Sequence, residues 1–184
     1  MRKRFRRNKL ESESGVTLIE LAIAGFVLVF GMLSLLGLVI TAIGNNGRSK
    51  VDSSCTMLAQ AVLEQVSAKI AGGGPGTLTD NANCNGTGTT FTIEKDPGGA
   101  PLISAGNINA GNIDFTKAQV ANYSMNYVEC NNNVQRTYDV RWNVGDLSGK
   151  TYSIVVGARP AGGNGPVQFS FALPVNMRAF VGGN

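Results

Sequence analysis

A run of 28 residues, Val16 to Ile43, holds only four polar side chains, Thr17, Glu20, Ser34 and Thr41. Wound as a helix it would extend about 42 Å, more than the hydrocarbon core of a bilayer at about 30 Å. The apolar core of a cleavable secretory signal is shorter, ~7–15 residues, and closes on a small-x-small cleavage site. Ile40-Thr41-Ala42-Ile43 offers no such site. The run therefore reads as a retained, single-pass transmembrane helix.

The charge distribution gives that helix a direction. Formal net charge is +4, and Arg2, Lys3, Arg4, Arg6, Arg7 and Lys9, offset by Glu11 and Glu13, account for all of it. Basic residues flanking a span stay on its cytoplasmic side. The N-terminus is thus expected in the cytoplasm, with everything after Ile43 outside. The rest of the chain balances 10 basic against 10 acidic residues. Phosphate-backbone binding needs a basic excess on the folded domain, so no nucleic acid is expected as a partner. Histidine is absent, which removes Ser-His-Asp and Cys-His catalysis and histidine-ligated metal sites. Neither enzyme chemistry nor a cofactor or metal is expected.

Glu20 conflicts with a plain membrane anchor. It places a carboxylate five residues after Gly15, inside the apolar run, where an unpaired charge is penalised. Either it lies at the interface near the helix start, or it awaits a partner. The stretch Gly15-Val16-Thr17-Leu18-Ile19-Glu20-Leu21 follows a basic leader and precedes a long apolar run. In this it resembles the class III signal of type IV pilins and pseudopilins. The resemblance implies that a prepilin peptidase cuts between Gly15 and Val16 on the cytoplasmic side and methylates the new N-terminus at Val16. It also implies that Glu20 serves assembly by pairing with the Val16 amine of a neighbouring subunit. Two features depart from the pattern: valine stands where phenylalanine commonly follows the cut, and the 15-residue leader is long. The modified atom is a backbone amine, so valine is chemically acceptable there.

Beyond the span, Gly44-Asn45-Asn46-Gly47 is a local weak point for a helix. Val51, Cys55, Leu58, Val62, Val66 and Ile70 then recur at spacings of three or four, the signature of a helix with one face against a core. Gly72-Gly73-Gly74-Pro75-Gly76 ends it. In the family that the leader resembles, this is the second half of one long helix whose apolar stripe rests on a sheet.

Four alternating segments follow. Tyr123, Met125 and Tyr127 share a face, as do Tyr138, Val140, Trp142 and Val144, with Thr137, Asp139, Arg141 and Asn143 opposite. Tyr152, Ile154 and Val156, then Val167, Phe169, Phe171 and Leu173, complete the set. The links Asn131–Asn133 and Gly145–Lys150 are short enough for hairpins, so the sheet should be largely antiparallel. Residues 77–118 read as a variable connection with one short strand at Thr90–Glu94. The expected fold is α+β and pilin-like. It comprises a leader at 1–15 that is removed, a long helix at 16–71 with its membrane part at 16–43, and a β-rich head at 72–184.

Three cysteines, Cys55, Cys84 and Cys130, contain no Cys-x-x-Cys pair, and in an oxidising compartment they predict one disulfide and one leftover thiol. Three pairings are open. Cys84–Cys130 is expected, because both lie in the polar, loop-rich head while Cys55 falls on the apolar stripe.

Three further motifs fail on inspection. Gly145-Asp146-Leu147-Ser148-Gly149-Lys150-Thr151 has one residue too few between its glycines for a phosphate loop, and a strand follows where a helix is needed. Asn81, Asn83, Asn85 and Gly86 echo half of an EF-hand loop, but Thr92 stands where its bidentate glutamate belongs. Glu129, Asp139 and Asp146 read as solvated acids at strand ends rather than a catalytic pair.

The resemblance makes the chain a structural subunit of a bacterial type IV pilus. Thr56–Glu64 is similar to the Leu-Ala-Gln…Glu stretch of PilV-type minor pilins, which favours a minor pilin. Its partners would be the prepilin peptidase, other pilin subunits and the inner-membrane assembly machinery. Its location would be the inner membrane and then a cell-surface filament. A minor pseudopilin of a type II secretion system is the nearest alternative. A membrane-tethered binding protein that never polymerises is the third.

Overall fold

The computed structural model describes residues 16–80, 87–103, 111–131, 133–161 and 174–182. The chain divides into two compact units, Met1–Asn45 and Asn46–Asn184.

Helix α1 (Leu18–Ile70) is 53 residues long. An 18-residue window within it has a mean hydropathy of 2.7, and none of that window is buried by protein. One helix, near the N-terminus, is thus long and apolar enough to cross a membrane. Gly44, Asn45, Asn46 and Gly47 lie within α1, which continues through them. Extending an existing helix costs far less than nucleating a second one, which outweighs the propensity loss of two glycines. The C-terminal end closes as a Schellman motif. Gly73 N donates to Ala68 O at 2.8 Å and Gly72 N to Lys69 O at 3.3 Å, with Gly72 in the left-handed region at φ 84°.

In the second unit, β6 (Ser124–Asn131), β7 (Val134–Asp146), β8 (Thr151–Pro160) and β9 (Val175–Gly182) pair consecutively and antiparallel. Both expected hairpins form: Asn131 faces Val134, and Asp146 faces Tyr152. The second turn is held by Gly149 N donating to Asp146 Oδ1 at 3.0 Å. Strand β7 is long enough that two partners share the edge away from β8, with β6 along Val134–Arg141 and β3 (Gly98–Gly99) against Asn143 and Val144. Besides β3, four short strands lie among the described residues of the connection: β1 (Thr77–Thr79) pairs with β2 (Thr90–Thr92), and β4 (Leu102–Ile103) with β5 (Asn112–Ile113). Only β2 falls where alternation had placed a strand. The others are two or three residues long, too short to carry a period.

The expected apolar stripe of the helix meets the expected face of the sheet. Val51, Cys55, Leu58, Ala59, Val62 and Val66 are buried together with Met125, Tyr138, Val140, Trp142, Val144, Ile154 and Val156. Ile70, Tyr123 and Tyr127 pack against this cluster. Burying each large apolar side chain contributes about 1.5–3 kcal/mol, so this layer dominates the head's stability. Its two polar-tipped aromatics are satisfied: Trp142 Nε1 donates to Glu94 O at 3.0 Å, and Tyr138 Oη to Glu129 Oε2 at 2.9 Å.

The outer face of the sheet is also covered. Ala100, Ile113 and Val155 form a second buried cluster, with Leu102 and Phe115 against it. Gly99 permits the approach, for a Cβ there would sit 2.5 Å from Trp142 O, and its φ of 116° disfavours any side chain.

The expected strand at Val167–Leu173 lies outside the described residues. Strand β9, which is not among the four expected, occupies Val175–Gly182, where Val175, Met177 and Val181 turn towards the helix-side core.

Candidate functional site

Two constellations stand out, one in each unit. In the first, Thr17 and Glu20 exchange hydrogen bonds at the start of α1. Glu20 N donates to Thr17 Oγ1 at 3.3 Å, while Glu20 Oε2 accepts from Thr17 N at 2.9 Å and from Thr17 Oγ1 at 2.9 Å. This is a capping box, in which a threonine just before the helix and a glutamate three residues on satisfy each other's free amides. The spacing Thr-x-x-Glu before an apolar run signals it in the sequence, yet the reading above gave Thr17 no role. Glu20 is therefore not an unpartnered carboxylate: it neutralises exposed backbone donors where the helix dipole favours negative charge. Its charge itself has no cationic partner among the described residues, since both salt bridges there involve Asp139. Val16, just before the box, is 73% exposed. Gly15 lies outside the described residues.

The second constellation corrects an expectation. Asp139 is not a solvated strand-end acid: it sits mid-strand in β7 and is only 4% exposed. Arg141 Nε and Nη2 each donate to it at 2.8 Å, one to each carboxylate oxygen, a bidentate pair. Arg159 Nη2 adds a contact at 3.2 Å, and Gln119 Nε2 donates to Oδ1 at 2.9 Å. Both guanidinium groups lie over the Phe115 ring, with 5.1 Å from its centre to Arg141 Cζ and 4.7 Å to Arg159 Cζ. Arg141 also donates to Lys117 O at 2.7 Å. Burial by itself raises the Asp139 carboxyl. Hydrogen bonds from Arg141 and Gln119 and the charges of Arg141 and Arg159 outweigh it and hold the group below its ordinary value. With its acceptor positions filled, Asp139 fastens residues 115–119 to the outer face of the sheet. Alternation assigned the correct face but did not reveal that other chain segments cover it.

Of the other acids, Glu129 is half-buried and accepts from Ser54 Oγ at 3.1 Å and from Tyr138 Oη, joining helix to hairpin. Asp146 is exposed at its strand end, as expected. Cys130 is disulfide-bonded and Cys55 is a free, buried thiol. Cys84, the other half of the expected bridge, lies outside the described residues. So do Asn81, Asn83, Asn85 and Gly86. Burial first, then the nearby charges of Asp52 and Glu129, push the Cys55 thiol up to about 12. Among the described residues no three His, Cys, Asp or Glu side chains are grouped to hold a metal ion.

The chain matches no protein-family model, no curated protein and no solved structure.

Proposed function

We propose that the chain is a structural subunit of a type IV pilus, a minor pilin, inserted by its N-terminal helix and assembled through it. The observation that carries this reading is Glu20, a charged side chain one turn into a helix whose first part leaves its apolar side chains uncovered. A simple anchor gains only the helix cap from this residue, a task that an uncharged glutamine also performs. A subunit that packs the same helix among copies of itself gains a charge with which to set their stagger. Cleavage after Gly15 would supply the opposite charge, the Val16 amine, at nearly the same depth. In low dielectric such a pair is strongly dependent on position and rewards one register over others. The head supports the reading through its architecture, a helix stripe packed on an antiparallel sheet. A minor pseudopilin of a type II secretion system would use the same parts. Mass spectrometry of filaments sheared from cells tests the proposal. The chain should be present in them, and confinement to the membrane fraction would favour a tethered protein that does not polymerise.

A further inference from the structure

A cleft of about 440 Å³ opens where the second half of α1 meets the β6–β7 hairpin, lined chiefly by Ser49, Lys50, Ser53, Ser54, Glu129 and Arg136. Its electrostatics follow from how these residues are spent. Arg136 stands directly across the hairpin from Glu129, a placement that ordinarily yields a cross-strand ion pair. Here Ser54 and the buried Tyr138 hold the Glu129 carboxylate through Oε2, and Arg136 forms no salt bridge among the described residues. Lys50 has no acidic residue three or four positions away on its helix, only Asn46, Gly47, Ser53 and Ser54. Two cations therefore face one cleft without an ion-pair partner among the described residues, beside three serine side chains.

We infer that this cleft binds a phosphate group. Arg136 offers a planar fork suited to two phosphate oxygens, Lys50 a mobile point charge, and Ser49 a further hydroxyl donor, while the Ser53 and Ser54 hydroxyls already donate to Ser49 O and Glu129 Oε2. Glu129 offsets one of the two cations, and the cleft keeps one positive charge in excess, while Glu129 Oε2 is engaged by Ser54 and Tyr138. The phosphate belongs to an anionic phospholipid headgroup. Lys50 follows Ile43, the last residue of the apolar run, by seven positions, and seven residues reach at most about 25 Å even when fully extended. In a membrane-inserted chain the cleft is thus tethered close to the headgroup layer. The inference rests on membrane insertion by α1 but not on filament assembly.

The test uses the full chain in detergent micelles, with native mass spectrometry to count retained phosphatidylglycerol against phosphatidylcholine. Phosphorus NMR of added inorganic phosphate, without lipid, is recorded in parallel. Reconstitution into bilayers reads insertion separately, so a failure of the anchor is distinguishable from a failure of the cleft. The unaltered chain should retain phosphatidylglycerol several-fold over phosphatidylcholine. Lys50→Gln with Arg136→Gln should abolish that preference, and Arg136→Lys should keep part of it. Phosphate line broadening that is lost in the double variant, without any lipid preference, would assign the cleft to free phosphate instead. Equal retention by the unaltered chain and the double variant, with no phosphate broadening, would overturn the inference.

Discussion

Glu20 does two separable things, and side-chain chemistry tells them apart. Its carboxylate oxygen accepts from Thr17 in the capping box, a task an amide oxygen also performs. Its charge, beyond its attraction to the helix dipole, matters to a cationic partner. Glu20→Gln keeps the acceptor and removes the charge, while Glu20→Ala removes both. On the proposed account both variants insert and lose their leader normally, and both are missing from sheared filaments. If Glu20→Gln enters filaments as efficiently as the unaltered chain, the capping box is the whole role of the residue. Asp139 poses a stability question instead. Its carboxyl is held below the ordinary Asp value near 3.8, so its contribution is complete above that pH. The contribution is lost as pH falls from there through the lower value of the folded state. Asp139→Ala should cost about 3–5 kcal/mol, because it leaves Arg141 buried without its partner. Denaturant titration of the two proteins at neutral pH and at pH below 3.8 should show the gap narrowing in acid.

Among the elements, the cysteines give the sharpest expectation. Cys84 and Cys130 should be found linked by peptide mapping under non-reducing conditions, closing a loop of about 46 residues worth roughly 4 kcal/mol in chain entropy. Cys55 should resist alkylation at mildly alkaline pH until the chain unfolds, because its thiol titrates only near 12. A linkage from Cys55 to either partner would contradict both statements. The helix stripe and the faces of β6, β7 and β8 were legible in the sequence because each repeats its period over several residues and buries one side. Strand β9 was legible too, since Val175, Met177 and Val181 alternate with Asn176, Arg178 and Phe180. The excursion from Gly98 to Gln119 could not be read in the same way. Its strands are two residues long, and what fixes it in place is long-range: Arg141 and Arg159 on Phe115, Arg178 Nη2 on Gly111 O at 2.7 Å, and Asn143 Nδ2 on Ala100 O at 2.9 Å. The capping box is written in the sequence as Thr-x-x-Glu, at Thr17 and Glu20.

At the scale of the whole molecule, the two units have different requirements for their surfaces. The head closes its own core, with a helix stripe on one face of the sheet and a latched excursion on the other. The first part of α1 leaves its apolar side chains uncovered and is stable only in a lipid or protein environment of matching polarity. The proposed function supplies both environments in turn, membrane before assembly and neighbouring helices after it. That sequence of events requires a free amine at Val16, because the pairing with Glu20 has no partner while the leader is attached. The most direct measurement is the N-terminal peptide of the chain recovered from sheared filaments, read by tandem mass spectrometry. The account predicts a methylated Val16 as the first residue. Filament material that begins at Met1, or beyond Ile43, would contradict it.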